Sequence, residues 1–224
     1  MVPRTLEAAW AVAWRREILA PSAVGTAASF FVFRWIGTDA GIATLPASAL
    51  WALGFAVSAR FWLGLSVSMT AVDILRADRR WLPFYVVSPA RALQAAVISL
   101  TLALPVLAGA LFLLIPGVFL ALRWSQTLML VADARATWFG AAEASADLVH
   151  GQKLDILAIW LIVGCALGLA MWFDGVVASM VSATGAPLVV STALSLGLRI
   201  GADAFSLALV GATYYQLDSM TEAR

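Results

Sequence analysis

The chain lacks most of the residues that metal and redox chemistry is built from. Its 224 residues include one cysteine, Cys165, and one histidine, His150. No intrachain disulfide can close, and no Cys/His zinc cluster or bis-histidine haem site can assemble. Lysine is equally scarce: Lys153 stands alone at the edge of an apolar run, which argues against a Schiff-base lysine inside a bundle. Neither a metal nor a cofactor is expected. Charge of either sign is sparse, at 12% of residues against 62% hydrophobic, with a mean hydropathy of +0.93. An average soluble domain is about a quarter charged. A soluble fold of this size cannot hide so much apolar surface, so the composition is that of a membrane protein. The 14 basic residues against 13 acidic ones leave a formal charge of +1, with no basic excess to attract nucleic acid. All the basic residues but Lys153 are arginine, the usage of a GC-rich bacterial genome.

What is present in abundance is apolar sequence in runs. A spanning helix needs about 20 mostly apolar residues. Six such spans are expected in an all-α polytopic domain covering 1–224. They are Ile18–Ile36, Ala47–Val72 with Arg60 inside it, and Ala95–Ile115, uncharged and kinked at Pro105. Then come Val118–Ala132 with Arg123, Ile156–Phe173, and Leu188–Tyr214 with Arg199 and Asp203. The Pro116-Gly117 pair is expected to break the third span from the fourth. The fourth reaches about 25 Å with its flanks, short for a core of about 30 Å, so residues 95–132 form either two full spans or a re-entrant hairpin.

Positive charge orients the chain. Arg4, Arg15, Arg16, Arg76, Arg79, Arg80, Arg91, Arg135, Lys153 and Arg224 fall on one set of loops and termini, and the opposite loops 37–46, 116–117 and 174–187 carry none. This places both termini in the cytoplasm of a bacterial inner membrane. No A-x-A-like site follows the first span, which reads as uncleaved. Trp35, Trp51 and Trp172 fall near the outer boundary; Trp10, Trp14, Trp81 and Trp138 fall near the inner one. Leu6, Trp10, Ala13 and Trp14 recur at helical spacing, predicting an interfacial amphipathic helix over 3–16. A second short amphipathic helix is expected over 140–150, with Glu143 and Asp147 turned away from Ala141, Ala144 and Leu148.

The stretch Ile115-Pro116-Gly117, then Arg123, then Ala142, Ser145, Leu148 and Gly151 reads as IPG-x5-R followed by A-x2-S-x2-L-x2-G. With Tyr214-Tyr215-Gln216-Leu217 near the end, it resembles a broad bacterial family of polytopic proteins. That family is related to YciC and to the membrane domain of glycerophosphoryl diester phosphodiesterase, where the last motif is Tyr-Tyr-Asp-Leu. The resemblance implies a six-span membrane fold with an amphipathic start. The catalytic barrel of the phosphodiesterase has no counterpart here, so its activity is not implied.

The intramembrane charges are the strongest functional pointer. An arginine at a helix centre costs about 2.5–3.5 kcal/mol on insertion scales. Counted along their helices, Arg60, Arg123, Arg199 and Asp203 share a slab roughly 12 Å thick. Arg199 and Asp203 are spaced i, i+4 in the poorer base-then-acid order, which leaves Asp203 able to bridge to Arg60 instead. Gln126, three residues after Arg123, offers a side-chain carbonyl to its guanidinium, and Arg123 is expected to face the protein interior. Two readings stand. Carbonyls and water at helix breaks satisfy the guanidiniums, or the excess positive charge binds an anion or lipid headgroup. Gly164-x3-Gly168 and Gly197-x3-Gly201 permit close helix approach, either between these two spans within one chain or between chains. His150 reads as a helix C-terminal residue and Cys165 as a small packed hydrophobe. Asp133-x-Arg135 lacks the further acids of a CDP-alcohol phosphotransferase, and Asp203 lacks the second membrane aspartate of an intramembrane protease.

With no catalytic constellation, the expected role is non-enzymatic: a subunit or scaffold of a membrane assembly, or of a homo-oligomer. The alternative is a transport or lipid-handling protein with a basic intramembrane cavity around Arg60, Arg123 and Arg199. Membrane lipids are the expected partners in both.

Overall fold

The structure, a computed structural model, describes residues 1–36, 47–76, 87–112, 114–137, 140–184 and 188–222. Trp81, Trp138 and the loop 37–46 lie outside the described residues, as does the side chain of Trp35. Among the described residues there are nine helices and no strand. They are α1 (Val2–Ala13), α2 (Arg16–Ile36), α3 (Ala47–Leu75), α4 (Pro89–Phe112), α5 (Leu114–Arg123), α6 (Thr127–Ala132), α7 (Ala141–Leu148), α8 (Lys153–Thr184) and α9 (Leu188–Glu222). The chain is all-α, and five described helical stretches are long and apolar enough to cross a membrane: Leu53–Leu75, Pro89–Leu111, Ile115–Ala132, Lys153–Phe173 and Thr192–Glu222. α2, the first expected span, forms as a helix but is not one of these five.

α3 and α9 run side by side in the same direction. Gly64 meets Leu207, Ser68 Oγ donates to the Leu207 carbonyl at 3.1 Å, and Arg76 reaches Asp218. α2 lies antiparallel to α3: Ile18 packs with Val67 and Ala71, and Gly25 sits beside Arg60 and Leu63. α8 returns along α9, with Ile156 on Leu217 and Ile159 on Leu209 and Ala212. The largest core gathers Leu65, Met69 and Val72 of α3 with Ala95 and Ile98 of α4, Met129 to Ala132 of α6, and Tyr214 of α9.

Four expectations are corrected. α1 is helical, but its buried face is Thr5, Ala9, Val12 and Ala13. It packs lengthwise on α9, Ala9 meeting Leu209 and Trp10 meeting Phe205, while Trp10 and Trp14 stay exposed. The alanines sit where two backbones can come close; the tryptophans are too bulky for that seam. Second, Pro116-Gly117 does not break the chain. α4 ends at Phe112, α5 begins at Leu114, and Pro116 lies in the first turn of α5, where its missing N–H has no intrahelical partner to lose. Third, the expected fourth span is two helices separated by a turn at Trp124–Gln126. Fourth, α8 continues beyond Phe173 to Thr184 and α9 beyond Tyr214 to Glu222. α7 forms as expected, with Ala141, Ala144 and Leu148 against the core and Glu143 and Asp147 exposed.

Candidate functional site

Arg60 and Asp203 meet between α3 and α9. Arg60 Nη2 donates to Asp203 Oδ1, and Thr26 of α2 donates to Asp203 Oδ2 at 3.1 Å. Gly25 makes the room: a Cβ there would lie 3.3 Å from Arg60 Nη1. That Nη1 is buried without a hydrogen-bond partner, as is Ser22 Oγ one turn earlier on α2. One carboxylate and one guanidinium thus neutralise each other, tying three helices together. The Arg199 guanidinium lies 5.3 Å from the centroid of Phe30, a cation–π contact.

Arg123 is elsewhere. It is exposed at the C-terminus of α5. Its neighbour Leu122 packs with Val149, Ile156 and Leu217, and Leu217 lies 14 residues, about 21 Å, along α9 from Asp203. The four charges therefore do not share one slab, and the expected inward orientation of Arg123 is not found. α5 runs through Pro116-Gly117 and brings Leu122 to the start of α8 and the end of α9, so a depth measured from that pair does not place Arg123. Gln126 does not serve Arg123 either: its side-chain Oε1 is buried without a hydrogen-bond partner, and its Nε2 donates to Ser125 Oγ at 3.4 Å. The Arg123 contribution is its carbonyl, which accepts from Ser145 Oγ of α7 at 3.1 Å, while the same Oγ accepts from Gln126 N–H at 3.2 Å. Ser145 thereby stitches both sides of the α5–α6 break to α7.

The glycine pairs do not pack α8 against α9. A Cβ at Gly164, Gly168 or Gly197 would meet nothing within 4 Å, and Gly201 faces the Trp14 ring at 3.6 Å. Gly197 and Gly201 instead line a groove of about 820 Å³ between α8 and α9, with Trp14, Leu169 and Phe173. Cys165 is exposed rather than packed, and His150 is exposed in the turn after α7.

The densest polar cluster was not foreseen. Arg76 at the end of α3 donates to both oxygens of Asp133, at 3.2 and 3.0 Å, and to Asp218 of α9 at 2.9 Å. Arg135 pairs with Asp133, Asp218 and Glu222. Tyr214 donates its hydroxyl to Asp133 at 2.9 Å. Ala134 adopts φ +60°, the left-handed region that ends helices, and the chain turns there so that Asp133 and Arg135 enter one cluster. Burial pushes the Asp133 carboxyl up, but hydrogen bonds from Arg76 and Tyr214 and the charge of Arg135 outweigh it and hold the carboxyl below its ordinary value. Hydrogen bonding to Asp133 raises Arg76 against its own desolvation. The signal was in the sequence: Arg76, Asp133 and Asp218 each close an apolar run on the same side. A count of cations alone passes over the two acids.

Compared with known proteins, the chain matches no family model, no curated protein and no solved structure.

Proposed function

We propose that the protein is a non-enzymatic subunit or scaffold of a membrane assembly in a bacterial cytoplasmic membrane. It crosses the membrane an even number of times, with both termini on the cytoplasmic side. The observation that carries this reading is the unused close-packing face of α8. Gly164 and Gly168 are open, flanked by exposed Leu161, Met171 and Trp172, and only 12% of Lys153–Phe173 is buried within the chain. Small residues spaced four apart let two backbones approach, and that approach drives helix association in lipid. Kinship with the YciC-related family, on the motif from Ile115 to Gly151, belongs to the same proposal.

Cys165 supplies a built-in reporter beside Gly164. Mild oxidation in native membranes is expected to cross-link the chain to itself or to a partner through Cys165, and Gly164→Leu with Gly168→Leu is expected to abolish the cross-link. A chain that stays uncross-linked and purifies as a lone monomer in gentle detergent overturns the proposal.

A second reading, lipid handling, draws on the groove at Gly197 and Gly201. Because Arg60 and Asp203 neutralise each other, the groove suits an acyl chain better than a free anion. Native mass spectrometry tests it: retained lipid lost on Gly201→Leu supports this reading, and no retained lipid ends it.

A further inference from the structure

Between Arg91 and Arg123 the chain has no charged residue, and this stretch is the α4–α5 hairpin. Its two helices are paired through glycine: a Cβ on Gly109 would lie 3.1 Å from Gly117 Cα, and one on Gly117 would lie 2.5 Å from Ala110 N. Its outward surface is apolar and uncovered. Leu104, Leu107, Leu111 and Ile115 are 58–86% exposed, and 11% of Pro89–Leu111 is buried against 44% of Leu53–Leu75. By length and composition alone, Pro89–Leu111 and Ile115–Ala132, the latter running through α5 and α6, could each cross a bilayer.

Position says otherwise. The Phe119 ring lies 4.2 Å from Lys153 Nζ, and Leu122 packs with Val149, Ile156 and Leu217. These neighbours are the start of α8 and the end of α9, the end of the bundle that carries the Arg76–Asp133–Asp218 cluster. From Phe119 back to Leu114, where α5 begins, is five residues, so the apex end of α5 stands no more than about 8 Å beyond Phe119. The hydrocarbon core is about 30 Å thick. Since α4 is 24 residues, about 36 Å, long and ends at this shallow apex, it must run obliquely. Just before its first residue, Val87 is tied to α3 by Trp62 and Ser66, and Ala95 and Ile98 share one core with Leu65, Met69, Val72 and Tyr214.

We infer that the α4–α5 hairpin does not cross the membrane but lies within the acyl chains of a single leaflet, the one at the end of the charged cluster. Arg91, Arg123 and Lys153 stand at the headgroup level of that leaflet. The partner of the exposed leucine surface is therefore lipid of one leaflet, and the hairpin adds cross-section to that leaflet alone. The inference rests on the chain being membrane-embedded and not on what it assembles with.

The test uses the full chain in proteoliposomes, with Cys165→Ser as background. Single cysteines go to the exposed positions Leu111 and Ile115, to Glu143 on α7, and to Ser179 near the far end of α8. A membrane-impermeant maleimide is expected to reach Glu143→Cys from one side and Ser179→Cys from the other, and Leu111→Cys and Ile115→Cys from neither. A bimane label at Leu111→Cys or Ile115→Cys is expected to be quenched most by lipids brominated between headgroup and midplane. Labelling of either apex cysteine from the Ser179 side shows a full crossing and overturns the inference. Labelling from the Glu143 side, or no quenching by any brominated lipid, shows a hairpin outside the leaflet and overturns it as well. Because all four positions are exposed, the substitutions leave packing intact.

Discussion

At the scale of single residues, the decisive arrangement is the pairing of Arg60 with Asp203. A buried charge left alone costs far more than a buried pair is worth. Arg60→Leu strands the Asp203 carboxylate with Thr26 as its remaining donor, and is expected to lower stability on the order of 3 kcal/mol. Combining it with Asp203→Leu removes the stranded charge and should recover most of that loss. Thermal unfolding of the two variants in one detergent checks both statements, and equal losses would dissolve the pair as a unit. This pairing was readable in the sequence, because the unfavourable order of Arg199 and Asp203 on one helix sends the acid to another partner. The Arg76–Asp133–Asp218 cluster was readable only as three charges that each close an apolar run on one side; their pairing joins residues 57 and 142 positions apart, which no local pattern encodes. It also makes a pH prediction. The Asp133 carboxyl is held below its ordinary value near 3.8 in the folded chain. A folded value below the unfolded one means stability that is fully present above the ordinary value and lost as pH falls through the lowered one. The wild-type advantage over Asp133→Asn in melting temperature should be constant from neutral pH to about 4 and shrink below it. An advantage independent of pH down to 3 would show that the ionised carboxylate contributes nothing.

At the scale of elements, glycine placement separates joints from surfaces. Gly117 is packed so closely that a Cβ would fall 2.7 Å from both Cα and Cβ of Ala110. Backbone cannot yield as a flexible side chain does, so Gly117→Ala must spread α4 from α5. The expected loss is about 1–3 kcal/mol, the usual cost of overpacking. Gly164→Ala, in open space, should lose nothing and gain up to about 1 kcal/mol of helix propensity. Denaturant unfolding of the pair discriminates, and equal effects would contradict the hairpin geometry. The helices themselves were legible in the apolar runs, and so was α7 in the phase of Ala141, Ala144 and Leu148 against Glu143 and Asp147. Where helices end was less legible. Pro116-Gly117 reads as a break, yet proline is tolerated within a first turn, and the glycine is there for contact rather than for a bend. The break at Trp124–Gln126 carries no proline or glycine at all. It is held by Ser145 from a helix 19 residues further on, a tertiary cause that periodicity does not encode.

At the scale of the whole molecule, the interior is lopsided. The fully buried large side chains include Met69, Met129, Ile156, Leu209, Tyr214 and Leu217, all toward the end where the charged cluster sits. Toward the other end, α8 and α9 are separated by the groove of about 820 Å³. There Leu169 and Leu194 are 65% and 52% exposed. Hydropathy finds both regions equally apolar, which is why the sequence reveals the spans but not which of them touch. In water, apolar exposure would be a fault; in a bilayer, lipid supplies the contacts that protein does not. The two ends should therefore answer truncation differently. Met129 is 1% exposed and shares a core with Met69, Ile98 and Tyr214, so truncating it removes contacts made by protein side chains. Met129→Ala is expected to cost about 2–5 kcal/mol. Leu169→Ala removes as much apolar surface, but the vacated space is filled by the surrounding chains, so the loss should stay within about 0.5 kcal/mol. Both variants are unfolded in the same detergent and compared by midpoint. A Leu169→Ala loss as large as that of Met129→Ala would mean that the groove is closed by protein packing, and the lopsided interior would have to be abandoned.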